Sequence, residues 1–237
     1  MGLAISCVTA CRTSHREGTA GTASAQDPAA PPIDCPLRKA GVDPHHMKPF
    51  EDVEKYIAFL ERADRVVWQK PDELLGSLSL RGDETVADVG AGSGYFTFRF
   101  AKALPKGKVI AVDIEPEMIR HVHHRAMTEG LTNVQVVLGE PSDPKIPAGV
   151  SLIFICDVLH HVEDRGTWLA NMFAEAPPGA KLVVLEFREG ELPEGPPASV
   201  KLKKSEVVDF VTRAGFVKVG EDAALLPYQY VLKFSKS

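Results

Sequence analysis

The stretch "VADVGAGSGYFT", Val86–Thr97, sets three glycines at every second position behind an aspartate. An apolar strand-like run leads into it and a helix is expected from Tyr95, so the glycines occupy a strand-to-helix turn. Backbone bared in that rhythm serves either a tight turn or a ligand lying close against the chain. In the dinucleotide-binding spacing G-x-G-x-x-G, the third glycine lets the first helix pack against the sheet. Gly90 and Gly92 meet the first two positions, but the third is Tyr95, a bulky ring where that arrangement wants no side chain. A phosphate-binding P-loop fails too, because no Gly-Lys-Ser/Thr follows.

Outward from this turn, apolar strands alternate with amphipathic helices. Strands are expected at Thr85–Val89, Lys108–Asp113, around Val134–Leu138, at Ser151–Cys156 and at Lys181–Phe187. Between them fall a helix from Tyr95, one from Glu115 ended by Gly130, one over Arg165–Ala176, and one capped by Ser205 and stopped by Gly215. This alternation predicts an α/β fold with a doubly wound parallel sheet. The unbroken apolar runs "KVIAV", "SLIFI" and "KLVVLEF" suit strands covered on both faces. After Phe216 the rhythm breaks, and "FVKVGEDAALLPYQYVLKFSK" reads as two strands joined by a short loop. They complete a seven-stranded sheet, mostly parallel, with a C-terminal antiparallel hairpin. Ahead of the sheet, Phe50, Val53, Ile57 and Leu60 stand at helical spacing, and "DELLGSLSL" reads as a further short helix.

Composition narrows the class of partner. With 237 residues, 44% hydrophobic and 25% charged, the chain has enough length for one substantial core. The formal charge of -5 gives no basic footprint for nucleic acid, so a small-molecule substrate is expected. No apolar run approaches the roughly eighteen residues that cross a bilayer. Cys7, Cys11, Cys35 and Cys156 form no C-x-x-C pair, and Cys156 in "SLIFICDV" reads as a small buried hydrophobe. Residues 1–32 read as a mobile tail. Val8-Thr9-Ala10-Cys11 is similar to the lipobox of bacterial lipoprotein signals, behind an apolar run shorter than usual and without a preceding basic residue. The Ala-, Ser-, Thr- and Pro-rich stretch from Arg12 to Pro32 follows as linker. The globular domain is expected over residues 33–237.

Asp88-Val89-Gly90-Ala91-Gly92-Ser93-Gly94 resembles the first motif of the class I S-adenosylmethionine-dependent methyltransferases, and the resemblance runs from about Trp68 to the C-terminus. Within that family it looks closest to small bacterial enzymes of the ubiquinone/menaquinone-biosynthesis type. The resemblance implies that S-adenosylmethionine is the cofactor, its methionine end received by Asp88, Gly90, Ala91, Gly92 and Gly94. It implies that Asp113 in "VDIEPEM", with Ile114 beside it, grips the ribose; a carboxylate accepts both hydrogen bonds of a diol. It further implies that an acidic residue of "LGEPSDPKIP", Glu140 first and Asp143 second, meets the adenine, and that "ICDVLHHVED" contributes Asp157. The segment over about 47–80, with His45 and His46 ahead of it, is expected to fold over the cofactor as a lid, and "REGELPEGPPASVK" to cover the acceptor, with Arg188 in contact.

The sulfonium methyl is already electrophilic, so the protein mainly has to align a nucleophile and exclude water. A base is needed only where the acceptor carries a proton that must leave. His160 and His161 are the candidates, with "VLHHV" expected to turn the two rings to different sides, and Tyr95 is a candidate wall of the methyl pocket. His121, His123 and His124 on one helix suggest a metal only superficially; a solvated helix face is expected, and no metal. Two other readings stay open: a nucleotide-dependent oxidoreductase, which Tyr95 opposes, and a non-catalytic S-adenosylmethionine-binding protein. The cytoplasm, where that cofactor is made, is the expected location, with lipid anchoring through Cys11 as the alternative.

Overall fold

The computed structural model describes residues 50–237. The expected tail, its Cys11 lipobox, and His45 and His46 lie outside the described residues. Seven strands form one sheet: β1 (Thr85–Val89), β2 (Lys108–Asp113), β3 (Val134–Leu138), β4 (Leu152–Cys156), β5 (Lys181–Phe187), β6 (Val217–Asp222) and β7 (Gln229–Ser235). Their order is β3-β2-β1-β4-β5-β7-β6. β1 to β5 pair in parallel, and β7 enters antiparallel between β5 and β6. The hairpin is therefore formed, with its second strand inserted inside the sheet edge.

The helices are α1 (Phe50–Leu60), α2 (Arg65–Gln69), α3 (Pro71–Ser77), α4 (Thr97–Ala103), α5 (Pro116–Thr128), α6 (Arg165–Glu175) and α7 (Lys204–Arg213). Alternate residues of the strands sort to opposite faces, as a pleat with period two requires. Val89, Val112, Ile155 and Val184 pack with Trp168, Leu169 and Met172 of α6 and with Val207 and Val211 of α7. Val86, Val109, Phe154 and Leu185 pack on the other face against Leu74 of α3 and Phe100 of α4. Two hydrophobic layers flank one sheet, which is why the strand sequences are apolar without alternation.

Local chemistry explains the helix ends. Pro71 opens α3, and the preceding Lys70 turns the chain at φ 41°. Asp164 caps α6, its Oδ1 accepting from the Thr167 N–H at 3.0 Å. Ser205 lies inside α7 instead of capping it: the cap is Lys203, whose N–H donates to Glu206 Oε2 at 2.9 Å. The Glu206 carboxylate, three residues on, reaches back to the N–H of that cap, so the helix begins two residues earlier than a Ser205 cap would place it. No helix among the described residues is long and apolar enough to cross a membrane.

The strand order reverses between β1 and β4, so the loops leaving their carboxyl ends diverge and leave a crevice. Ligands of open α/β sheets bind at such a switch point.

Candidate active site

A cavity of about 880 Å³ opens there, lined by the β1–α4 turn, the ends of β2 and β4, helices α1 and α2 and the Gly195 loop. That volume is ample for a nucleoside-sized cofactor together with a small acceptor.

The three glycines of the β1–α4 turn all take positive φ, 72° at Gly90, 54° at Gly92 and 84° at Gly94. A Cβ on Gly90 would lie 2.3 Å from Val158 Cγ2, and one on Gly94 would lie 2.5 Å from the Phe98 ring. On Gly92 it would meet only Leu60 Cδ1, at 3.2 Å. The outer two glycines thus let β4 and α4 close onto the turn, and Gly92 is the one left facing the lid. Gly90, Ala91 and Gly92 all line the cavity, whereas Gly94 is packed behind it.

Asp88 is buried at the end of β1 and accepts from Thr97 Oγ1 at 2.6 Å. Burial pushes its carboxyl up to about 6; the Thr97 hydrogen bond opposes this and the Asp113 charge adds to it. Asp113 faces the cavity from the tip of β2, its Oδ2 accepting from Gly92 N–H at 2.8 Å and its Oδ1 from Glu115 N–H at 2.9 Å. Burial raises its pKa, with the backbone donors pulling the other way. Each oxygen keeps a lone pair, so the carboxylate is oriented without being used up. Ile114, half-exposed, forms the adjoining wall.

The structure does not bring Glu140 to the cavity. Its carboxylate is exposed and lies 3.3 Å from Lys145 Nζ, while Asp143 is held by Lys145 Nζ at 2.8 Å and by the Lys145 N–H at 2.8 Å. Gly139, Pro141 and Pro144 of the same loop line the cavity instead. A lysine in the loop draws both acids outward. Arg188 is likewise turned elsewhere, its guanidinium donating to the carbonyls of Ala223 and Leu226 in the β6–β7 loop.

At the end of β4, Asp157 adopts φ 60° and anchors a polar network. Gln229 Nε2 donates to its two oxygens at 2.7 and 2.8 Å, and buried Gln69 of α2 donates to Oδ2 at 3.3 Å. Arg65 donates in turn to Gln69 Oε1 and to the Leu60 carbonyl. Helix α2, the end of β4 and the last strand are therefore joined beneath the cavity. Burial, then the Glu186 charge, pushes Asp157 up to about 6. Cys156 lines the cavity, but burial pushes its thiol well up, which disfavours the thiolate.

His160 and His161 both line the cavity, on the short helical turn Leu159–His161. Their rings do not point to different sides: the centroids are 4.1 Å apart. A tight 3₁₀ turn places neighbours closer than the expected loop. His160 is nearly enclosed, and its Nδ1 lies 2.7 Å from Oε2 of buried Glu186. Sequence reasoning missed Glu186, and the only available signal was a carboxylate inside the apolar run "KLVVLEF". Tyr95 also lines the cavity, its ring clamped between the Arg65 and Arg99 guanidinium groups at 3.9 and 3.8 Å from the centroid.

His121 and His124 are half-buried and, with Val53, Ile57 and Glu61, line a second cavity of about 420 Å³ between α1 and α5. The open solvated face expected for this helix is covered by α1, which burial of both rings follows. Among the described residues no cluster of three metal-ligating side chains occurs.

Helix α2 carries Trp68, packed at a tilt with ring centroids 5.7 Å from Phe187, and the α1–α2 turn carries Arg62, which pairs with Glu194 of the Gly195 loop. Trp68 Nε1, Ser93 Oγ and Tyr95 OH are buried without a hydrogen-bond partner among the described residues, and all three residues line the cavity. Unpartnered polar atoms around one cavity are groups that a ligand there can satisfy.

Comparison with known proteins agrees with this geometry. A family model described as a methyltransferase domain matches residues 80–223, more than half of the chain. The chain belongs to that family, whose methyl donor is S-adenosylmethionine. A solved S-adenosylmethionine-dependent methyltransferase from Aquifex aeolicus is 26% identical and superposes with a TM-score of 0.73, covering 78% of this chain and 99% of that one. The malonyl-[acyl-carrier protein] O-methyltransferase of Hahella chejuensis is 29% identical over 114 residues, 47% of this chain and 39% of the relative. The ubiquinone/menaquinone biosynthesis C-methyltransferase UbiE of Marinomonas sp. is 27% identical over 128 residues, 53% of this chain and 50% of the relative. The chain thus spans half or less of the length of these two curated relatives.

Proposed function

We propose that this chain transfers the methyl group of S-adenosylmethionine to a small-molecule acceptor in the 880 Å³ cavity. The observation that carries the reading is the meeting, at one switch point, of two carboxyls pushed up to about 6, a ribose-type carboxylate and a lid arginine. Among the described residues neither buried Asp88 nor part-buried Asp157 has a cation in contact, so a ligand bearing an ammonium and a sulfonium suits them. The Arg65 guanidinium, held by Leu60, Gln69 and the Tyr95 ring, suits the carboxylate of the same ligand. Asp113 suits the ribose diol, and Ile114 with the Gly139–Pro141 backbone suits the adenine face.

When bound, the cofactor supplies an activated methyl group. The chain contributes orientation and dryness: Gly92 leaves room, Asp113 fixes the sugar, and the lid pair Arg62–Glu194 holds α1 and the Gly195 loop together over the acceptor end. His160 and His161 stand beside the acceptor. The reaction belongs in the cytoplasm, a reading supported by where the donor is synthesised.

Incubation of purified protein with labelled S-adenosylmethionine and fractionated small-molecule extracts tests this. Label should pass to an extractable product with stoichiometric S-adenosylhomocysteine. Binding of the cofactor with no acceptor-dependent turnover in any fraction would overturn the transferase reading in favour of a binding protein.

A further inference from the structure

Glu186 and His160 are an internal pair whose two members come from different strands' ends. Glu186 continues the row Leu182 and Val184 on β5, a face otherwise packed with hydrocarbon. Its side chain is 1% exposed, and among the described residues its carboxylate hydrogen-bonds to His160: Oε2 lies 2.7 Å from Nδ1, and Oε1 accepts from the backbone N–H at 3.3 Å. A carboxylate buried this deeply is costly unless it is paired, and its one partner is a ring that lines the acceptor cavity. With Nδ1 committed, Nε2 is the nitrogen left for chemistry, and the orientation of the ring is fixed. Elsewhere in the same cavity the buried Trp68 Nε1 and Tyr95 OH have no hydrogen-bond partner among the described residues, which suits an oxygen-bearing ligand.

We propose that Glu186 is a positioning residue for His160, and that the acceptor is a weakly acidic hydroxyl, methylated on the oxygen whose proton His160 Nε2 removes. This rests on the methyltransferase reading above. In the step, the oxygen forms its bond to the methyl carbon as the carbon–sulfur bond of the sulfonium breaks, the electron pair remaining on sulfur. The hydroxyl proton passes to Nε2, and from the imidazolium to solvent. A carboxylic acid is already ionised at neutral pH and an amine attacks through its free lone pair, so neither needs a base before attack. The walls of Trp68 and Phe187 suit a flat, apolar frame for that hydroxyl.

The groups facing His160 are Glu186 of β5, Asp157 at the end of β4, His161 beside it, and Arg165 of α6, whose side chain binds the Leu159 and His160 carbonyls; Tyr230 of β7 pairs opposite Glu186. Burial lowers the pKa of His160, but the Glu186 hydrogen bond and charge, with Asp157, outweigh it and leave it raised. Removing the Glu186 charge should therefore move the acidic limb of kcat/KM to lower pH, since His160 would lose its proton earlier.

The experiment compares 2-naphthol, 2-naphthylamine and 2-naphthoic acid as acceptors, with wild type, Glu186→Gln, His160→Ala and the double variant. Calorimetry with S-adenosylhomocysteine and thermal unfolding run alongside on every protein. Expected are a methyl ether from the naphthol alone, a loss of about a hundredfold in kcat for His160→Ala, and a smaller loss with a downshifted acidic limb for Glu186→Gln. In the His160→Ala background, Glu186→Gln should cost nothing further in kcat. An unshifted limb in a folded Glu186→Gln protein, additive losses in the double variant, or preference for the amine or acid would overturn the proposal. Loss of S-adenosylhomocysteine binding in wild type would instead overturn the underlying reading.

Discussion

The two ends of the cavity are built by different means. The end at the tips of β1 and β2, where we place the cofactor, is shaped by backbone: three positive-φ glycines, and a carboxylate held by N–H groups from its own neighbourhood. The other end, at the tips of β4 and β5 and beneath α1 to α3, where we place the acceptor, is shaped by side chains from distant segments: Gln69, Asp157, Glu186, Gln229 and the Arg62–Glu194 pair. Backbone geometry leaves a local trace in sequence, since only glycine is comfortable at such dihedrals. Long-range side-chain pairing leaves almost none.

That contrast can be strained most severely at Gly90. Gly90→Ala places a Cβ against Val158 at a left-handed φ, so strain and overpacking together should cost about 3–4 kcal/mol by chemical denaturation. Gly92→Ala, with only Leu60 nearby, should cost about 1 kcal/mol. Equal losses at the two positions would mean that packing of β4 does not set the turn. Next, Asp113→Ala should weaken S-adenosylhomocysteine binding at least about a hundredfold in calorimetry, given the usual worth of charged hydrogen bonds. Acceptor KM, measured at saturating cofactor, should be little changed.

Protons offer a third probe. Asp88 has its pKa raised in the fold, to about 6 from 3.8, so the fold favours its protonated form. Its contribution to stability is full below about 3.8 and is lost as pH rises through about 6. A cationic ligand needs the ionised form, so S-adenosylmethionine affinity should instead fall roughly tenfold from pH 7 to pH 5. Asp88→Asn should flatten both trends; retained pH dependence of affinity would move the effect to Asp157. The smallest change is expected from Arg62→Ala, whose partly exposed pair is worth about 0.5–1 kcal/mol. Acceptor KM should rise about threefold with cofactor affinity unchanged, and equal effects on both would show that the lid serves the two ends alike.

The positions of the first five strands along the chain were legible from apolar runs and turn residues to within about a residue, and the last two as a hairpin, whereas the insertion of β7 between β5 and β6 was not. So was the choice against a dinucleotide site, because Tyr95 violates a steric requirement. Glu140 was misassigned because sequence order gives no sign that Lys145 folds back onto it. Ser205 failed as a cap because Glu206 satisfies the earlier donor. Glu186 was invisible for a different reason: twenty-six positions separate it from His160, and no spacing rule joins two strands across a sheet. Gln69 and Gln229, amides in ordinary surroundings, meet only when α2 and β7 are both in place.

That last meeting has a temporal meaning. β7 threads between β5 and β6, and its first residue is the chief hydrogen-bond donor to Asp157. During synthesis, every earlier segment can leave the ribosome and collapse while the pocket floor still lacks its fastening. The floor of the cavity is thus fastened only once translation has passed Gln229, so its shape is among the last features of the fold to be fixed.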